Sequence, residues 1–512
     1  MSRVDQSFYR CCAIQPVGMN TTHVPPYNQW AALLTENRER VRALHKVLGE
    51  STFLAVRREV VEAARSYTKH LGDVAVRAKI SLPFPDGIFN CEVQSIVMAG
   101  HQPVIYHPGL LEKVTRLQSI SREVGATAIN VTIDTDEGDG GRIIWPLLKD
   151  GDVVIKQGSL SEGSSLYCDQ RIVSDRAVSN VFADVCRDLE ASNASEALER
   201  VMRVSKLYQA LSGESVAIAH AIVRMSESGA GYLEVPLSEL VRLPTVRRVL
   251  QGMLDDAPHF VSVYNATLEA YRRDHKIKNR ANPFPNMAVE SDSVEVPFWE
   301  IRGGSRKGVR ISTAGYPCSL DDGLVAPRGS IVTLLLRALC SDLFIHGLGG
   351  GKYDQFVDAF GEAYWRAPLP AFVVASSTRY LFPEQVAHYV RAREVKSTYK
   401  EIVSHTSTFI GRGLFSEEEE VDLSSLDARR QSLLEELRRA SSTEERSLVA
   451  HAVNEVNRSI KTRIDQSSMK QVLVDGAIDD ARLGRWACRE YPFFFFPSAK
   501  GGDLESGHQP HL

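Results

Sequence analysis

One stretch of the sequence decides the fold, and it reads Ser95-Ile-Val-Met-Ala-Gly-His-Gln-Pro-Val-Ile-Tyr-His-Pro-Gly109. The apolar run that ends at Ala99 predicts a buried strand, and Pro108 suits the first turn of a helix that continues to about Val124. A glycine then ends the helix, and residues 126–133 predict a second buried strand. The crossover is long enough to join two parallel strands through a helix. The sequence therefore predicts an α/β fold.

Two polar loops follow the two strands of this unit. In parallel α/β sheets, ligands bind outside the carboxyl ends of the strands. Residues 100–108 and residues 134–139 would both lie there. We therefore expect the two loops to face one cleft.

Outward from this unit, helical periodicity, turns and composition divide the chain into six segments. Residues 27–71 predict two helices, residues 330–343 a buried helix, and residues 421–465 two amphipathic helices joined by a tight turn. The predicted segments are an N-terminal helical arm (1–89), the first half of the core (90–150), an inserted connecting region (151–320), the second half of the core with a glycine-rich loop (321–415), a helical hairpin (416–466) and a C-terminal docking segment with a tail (467–512).

The composition is that of an ordinary globular chain. The 512 residues are 43% hydrophobic, and 60 Lys and Arg against 64 Asp and Glu give a net charge of −4, so no global basic field would attract nucleic acid. The longest apolar runs, such as residues 331–336 and 493–496, are far shorter than the ~20 residues that span a bilayer. The N-terminus lacks the apolar region of a secretory signal, and the eight cysteines form no C-x-x-C pair. We expect a cytoplasmic protein with no membrane or nucleic-acid partner.

The densest group of chemically active side chains lies in the loop after the first strand. Pro108 would place the free N–H groups of a helix at an anion, and a lysine one turn further would add positive charge. Two histidines there could transfer protons, because imidazole titrates near neutrality. The alternative is that the histidines only cap the turn. The loop does not match the dinucleotide-binding motif G-x-G-x-x-G. The candidate residues are Gly100, His101, Gln102, His107, Gly109 and Lys113.

A second group is acidic and follows the second strand. Asp134, Asp136 and Glu137 could bind an ammonium group, a ribose hydroxyl or Mg²⁺, because all three need concentrated oxygen ligands. The alternative is a solvated turn rich in aspartate and glycine.

A third group is glycine-rich. Its glycines would let backbone amides approach an anion that a lysine neutralises, although the spacing is not that of a Walker A loop and a helix rather than a strand is expected before it. The alternative is a flexible connector. The candidate residues are His346, Gly349, Gly350, Gly351, Lys352, Tyr353 and Asp354. Further along, Arg379 could clamp a carboxylate or form a surface salt bridge, and residues 489–496 predict a segment docked in a hydrophobic groove.

The order of these motifs resembles the BshC family, the cysteine-adding enzymes of bacillithiol biosynthesis. The resemblance rests on Gly100-His-Gln102 with Lys113, on Arg337-Ala-Leu339, and on the glycine run followed by Glu362-Ala-Tyr-Trp365 with Arg379. It implies a nucleotidyltransferase-type Rossmann-like core with inserted connecting regions, and a coiled-coil hairpin that supports a homodimer. It also implies that Gly350, Gly351, Glu362, Tyr364 and Trp365 fall on the family's second glycine-rich segment.

This chain departs from the family pattern at three places. His101 stands where the family usually has a second glutamine, Pro108-Gly109 reverses a Gly-Pro order, and Asp134-Thr-Asp-Glu137 replaces a Glu-Asp-His-Asp cluster. The departures affect the residues that would bind the second substrate, which accepts the amino acid, and those that would transfer protons. They indicate a divergent branch of the family.

The sequence and the resemblance together favour a ligase or transferase of small-molecule biosynthesis that joins cysteine, or a similar amino acid, to a small amino-bearing acceptor. His101 or His107 would transfer the proton, Lys113 and Lys352 would hold anionic groups, and Asp134 or Asp136 would hold an amine. The candidate cofactor is ATP or ADP with Mg²⁺, and no resident metal is predicted. Two alternatives stay open: an ATP-dependent adenylating enzyme that resembles class I synthetases, and a noncatalytic ligand-binding or assembly protein.

Overall fold

The computed structural model describes residues 20–89, 95–279, 282–312 and 323–497. The strands in these ranges are β1 (Asn20–Val24), β2 (Ile96–His101), β3 (Thr127–Thr132), β4 (Arg142–Lys149), β5 (Asp152–Ser159), β6 (Ser161–Glu162), β7 (Arg171–Ile172), β8 (Leu233–Pro236), β9 (Ser293–Arg302), β10 (Ser305–Ser312), β11 (Leu324–Pro327), β12 (Leu343–His346) and β13 (Phe372–Thr378).

The helices in the same ranges complete the order of elements. They are α1 (Trp30–Leu48), α2 (Glu50–Arg77), α3 (Pro108–Val124), α4 (Asp175–Ala191), α5 (Leu198–Ala210), α6 (Val216–Ser228), α7 (Leu237–Leu240), α8 (Pro244–Asp255), α9 (Ala257–Asp274), α10 (Ser330–Leu335), α11 (Leu348–Trp365), α12 (Pro383–Ser404), α13 (Glu417–Arg439), α14 (Thr443–Gln466), α15 (Met469–Asp475) and α16 (Asp480–Trp486).

A six-stranded sheet forms the centre of the molecule, in the order β1-β13-β12-β2-β3-β8. The five strands from β13 to β8 are parallel, and β1 pairs antiparallel with β13 at one edge. From β2 the chain adds β3 and β8 on one side, and later adds β12 and β13 on the other. The α/β prediction is confirmed, and the sheet changes its direction of growth between β2 and β12.

Helices cover both faces of this sheet. Alternate residues of a strand point to opposite faces, and in β2 Ile96 and Met98 pack into one apolar cluster while Val97 and Ala99 pack into another. All four side chains are fully buried. Burial on both faces is the expected state of a parallel sheet with crossover helices.

Several predicted elements are confirmed. The two N-terminal helices are α1 and α2, the helix after the first strand is α3, and the two helices joined by a tight turn are α13 and α14. None of the helices in the described part of the chain is long and apolar enough to cross a membrane.

The prediction of a buried helix over residues 330–343 is correct as far as Cys340 and wrong at its end. The helix α10 continues as a π-turn over Leu336–Cys340, and the chain then enters β12 at Leu343. All four residues of β12 are buried, so the strand shows no alternation of polar and apolar side chains that could reveal it. A strand, not a helix, therefore precedes the glycine run, and this run begins α11 instead of forming a loop.

The strand that contains Pro297 does not lie at the edge of its sheet. It is β9, which lies between β10 and β11 in a three-stranded sheet. The pairing of β9 with β10 shifts register between Trp299 and Val296, so Pro297 lies in a bulge. A bulge accommodates proline because one residue there needs no partner for its N–H group.

Candidate functional site

A cleft of about 630 Å³ opens at the carboxyl ends of β2 and β12. Its walls come from the loop after β2, the first turns of α3 and α11, the start of α10 and the C-terminal segment at residues 489–490. These two strands flank the point at which the sheet changes its direction of growth. In open α/β sheets the connections diverge at this point and leave room for a ligand.

His107 forms the N-cap of α3. Its Nδ1 accepts a hydrogen bond of 3.1 Å from the N–H of Gly109, and Pro108 occupies the first helical position. The helix start packs tightly on β13, because a Cβ on Gly109 would lie 2.9 Å from Ser376 Oγ. Burial, followed by the charges of Arg489 and Lys113, lowers the pKa of His107 to about 4. Its Nδ1 thus has the capping role that the sequence left open, and the neutral ring lines the cleft.

Lys113 lies one turn into α3 and is almost completely buried. Its Nζ donates a hydrogen bond of 2.7 Å to the carbonyl oxygen of Gly100, and no carboxylate among the described residues forms an ion pair with it. Burial, with a contribution from Arg224, lowers the pKa of Lys113 to about 7. The amine is therefore ready to gain a proton when an anion enters the cleft. Burial and the charge of Lys113 also hold the pKa of His101 well below its ordinary value.

The glycine run supplies the first turn of α11, with Gly347 as its N-cap. The first N–H groups of a helix have no acceptor within the helix, so they can bind an anion. Gly349, Gly350 and Tyr353 line the cleft. A Cβ on Gly350 would lie only 2.8 Å from His346 Nδ1, so this imidazole faces the helix start at close range.

A buried polar network fixes His346. Its Nε2 lies 2.8 Å from Asp354 Oδ2, which also accepts a hydrogen bond of 2.5 Å from Arg337, and the other oxygen accepts one of 2.7 Å from Thr333. Although burial raises the pKa of Asp354, His346 and Arg337 hold it well below its ordinary value. The ionised carboxylate favours the imidazole tautomer with a proton on Nε2 and leaves Nδ1 as the base.

The acidic group is divided between two environments. Asp134 does not line the cleft; it accepts hydrogen bonds from the Ser238 backbone N–H (2.9 Å) and hydroxyl (2.5 Å) at the start of α7. Asp136 does line the cleft, but it accepts hydrogen bonds from Gln102 (3.0 Å) and Arg306 (2.5 Å). Glu137 lies 3.3 Å from the same guanidinium. The predicted amine or Mg²⁺ site is therefore already occupied by a cation of the protein itself.

Other predicted site residues lie away from the cleft. Lys352 and Glu362 are exposed on α11, and Gly351 is buried within that helix. The hydroxyl of Tyr364 donates to Asp256, and Arg379 donates a hydrogen bond of 2.9 Å to the carbonyl oxygen of Pro497. Arg379 therefore binds the C-terminal segment and not the carboxylate that the sequence suggested.

Sequence reasoning missed several residues of the cleft. Thr333 lines the cleft and binds Asp354, Phe284 and Phe344 form part of the apolar wall, and Arg489 enters from the C-terminal segment. The only signal for Arg489 was its place at the start of the predicted docking segment 489–496, where the aromatic residues that follow hold it in position.

The arrangement can bind an anion and move a proton. The N-terminus of α11 and Lys113 provide the attraction, and the His346–Asp354 pair provides a base. Among the described residues, no group of three or more His, Cys, Asp and Glu side chains is placed to hold a metal ion. Comparisons of the chain with protein-family models and with curated proteins find no match.

Proposed function

We propose that this protein is an enzyme that joins cysteine, or a similar amino acid, to a small amino-bearing acceptor, and that the reaction takes place in the cleft between β2 and β12. The observation that carries the proposal is the convergence of α3, α11, Lys113 and His346 on one cleft at the switch point of the sheet. The motifs that resemble the BshC family contribute Gly100, Gln102 and Lys113 to this place. A Rossmann-like core of the nucleotidyltransferase type is part of the same proposal.

Different residues of the cleft can stabilise charge and transfer the proton in such a condensation. The N–H groups at the start of α11 and the amine of Lys113 hold the negative charge that develops on the carboxyl group of the amino acid. His346 Nδ1 takes the proton from the attacking acceptor amine, and Asp354 stabilises the resulting imidazolium. The bond that forms is C–N, and the carboxyl oxygen leaves as water or on a phosphoryl group.

The choice of His346 as the base differs from the expectation that His101 or His107 transfers the proton. The Nδ1 of His107 is engaged by Gly109, and burial keeps both imidazoles neutral without a carboxylate partner among the described residues. His346 has such a partner in Asp354.

Use of ATP with Mg²⁺ is a second element of the proposal. The cleft combines the N-terminus of α11, which suits phosphates, with an apolar wall that includes Phe284, Leu336 and Phe344, which suits a nucleobase. In the adenylating alternative, ATP would first activate the carboxyl group and release pyrophosphate.

The test is a product search by mass spectrometry. The purified protein is incubated with isotope-labelled cysteine and a low-molecular-mass extract, with and without ATP and Mg²⁺. We expect a labelled product whose mass is that of an acceptor plus cysteine less one water, and amino-acid-dependent pyrophosphate exchange if the adenylating alternative holds. H346Q should abolish the product, whereas H388Q should not, because His388 lies on α12 and pairs with Asp475. No product from the wild-type protein would favour a noncatalytic binding protein.

We also propose that the hairpin α13–α14 supports a homodimer. Val421 and Leu448 on these helices are 70% and 73% exposed, and burying such side chains would stabilise an interface. Light scattering after size exclusion should give twice the chain mass, and V421E together with L448E should give the monomer.

A further inference from the structure

We infer that Arg489 binds the anionic group of the substrate, a carboxylate or a phosphoryl group, and that the C-terminal segment 487–497 exists in this fold to carry it into the cleft. The inference rests on the proposed function for the identity of the substrate, but not for the presence of an anion subsite.

The first support is that the segment is firmly anchored. Phe493, Phe494, Phe495 and Phe496 are all buried. The N–H of Phe493 donates a hydrogen bond of 2.9 Å to the carbonyl oxygen of Tyr106, which is the residue before His107. The segment is thus tied directly to the loop that forms the cleft.

Two other arginines bind the C-terminal end of the segment. Arg200 donates a hydrogen bond of 2.7 Å to the carbonyl oxygen of Phe496, and its guanidinium lies 5.2 Å from the centre of the Phe493 ring. Arg379 binds the carbonyl oxygen of Pro497. These contacts fix the backbone near Arg489, so little freedom is lost when its side chain binds a ligand.

The third support is that Arg489 has no partner. Its Nε is buried without a hydrogen bond, and no ion pair or hydrogen bond joins this side chain to any residue that the structure describes. Other arginines have carboxylate partners: Arg57 pairs with Asp342, and Arg224 with Glu234. Arg489 is partly buried, and an anion in the cleft would supply the acceptor that its buried Nε lacks.

The surroundings of Arg489 favour an anion. His107, Lys113 and the start of α3 line the same cleft, and the charge of Arg489 contributes to the lowered pKa of His107. Of the carboxylates that line the cleft, Asp136 is paired with Arg306, Asp354 with Arg337, and Glu490 is exposed. Among the described residues, the groups of this lining without an ion-pair partner are therefore Lys113, Arg489 and the exposed Glu490, so basic groups outnumber the one free carboxylate.

The test measures ligand affinity by calorimetry for the wild-type protein and for R489Q and R489K. The anionic probes are L-cysteine, ATP and inorganic phosphate, and the neutralised counterparts are cysteamine, which lacks the carboxylate, and adenosine, which lacks the phosphates. R485Q is the matched control, because Arg485 belongs to α16 and pairs with Asp152 away from the cleft. Melting temperatures equal to that of the wild-type protein show that each variant is folded.

We expect R489Q to weaken binding of at least one anionic probe by tenfold to one hundredfold, the range for a lost charge-assisted hydrogen bond. R489K should retain part of the affinity, and R485Q all of it. A loss for L-cysteine alone identifies the carboxylate as the ligand, and a loss for ATP or phosphate identifies a phosphoryl group.

The two proposals can fail separately. If the wild-type protein binds phosphate through Arg489 but neither L-cysteine nor ATP, the anion subsite stands and the proposed function falls. If R489Q binds every anionic probe as the wild-type protein does, or if the wild-type protein binds none of them, the inference about Arg489 is overturned.

Discussion

Replacing Lys113 by methionine should stabilise the protein at neutral pH and at the same time remove ligand binding. The pKa of Lys113 is lowered from 10.5 to about 7 by burial and by Arg224. The unfolded chain therefore binds more protons than the folded protein between pH 7 and pH 10.5, and stability rises with pH over this interval. Below pH 7 the folded state carries the full penalty, which at 1.36 kcal/mol per pKa unit is about 5 kcal/mol.

Methionine fits the same buried space without this penalty. The lost hydrogen bond to the Gly100 carbonyl costs about 1 kcal/mol. At pH 7 the penalty is slightly smaller, so we expect K113M to be about 3 kcal/mol more stable than the wild-type protein there, and only about 1 kcal/mol more stable at pH 9. For 512 residues this corresponds to a rise in Tm of roughly 3 °C at pH 7.

The assay is thermal unfolding of both proteins from pH 6 to pH 9. K352M is the control, because Lys352 lies exposed on the neighbouring helix α11 and should show no such dependence on pH. The reasoning is refuted if K113M is no more stable than the wild-type protein at pH 7, or if its advantage does not shrink as the pH rises. A stable variant that no longer binds anions would show that the amine is kept for function at a cost in stability.

Two further pairs of substitutions test the geometry around the glycine run. D354N removes the carboxylate that pairs with buried Arg337, and it should lower the free energy of unfolding by about 3 kcal/mol in chemical denaturation. D358N is the control and should lower it by less than about 1 kcal/mol, because the Asp358 side chain is 44% exposed. Equal losses for the two variants would contradict this account. G350A should displace the imidazole of His346, which would lie 2.8 Å from the new Cβ, and should therefore weaken anion binding. In G349A the new Cβ meets no atom of the described residues within 4 Å, so this variant should bind anions normally and gain up to ~1 kcal/mol of stability. Calorimetry measures the binding of both variants, and chemical denaturation measures their stability.

Local signals in the sequence were sufficient for the βαβ unit at residues 95–133. Its strands are apolar and bounded, Pro108 marks the helix start, and a glycine marks the end, so each boundary has a chemical cause. The strand β12 carries no such signal, because a strand of four buried residues next to a helix has the same composition as the helix itself.

Only part of the cleft could be predicted for a related reason. The loop at residues 100–109 and the start of α11 are visible as motifs, since the residues of each are neighbours in sequence. The pairing of Asp136 with Arg306 and the arrival of Arg489 depend on how distant segments dock. A motif indicates which groups are available, but the partner that neutralises a charge comes from the tertiary structure.

The position of β2 in the sheet has a consequence for synthesis of the chain. Its neighbour β3 follows at once, but residues 102–342 must be made before β12 can pair with the other edge. Until then the apolar strand Ile96–His101 presents unpaired backbone groups, the kind of edge along which chains aggregate. We expect fragments that end before Leu343 to be insoluble or bound to chaperones, even though they contain the whole βαβ unit, and fragments that extend beyond β13 to regain solubility.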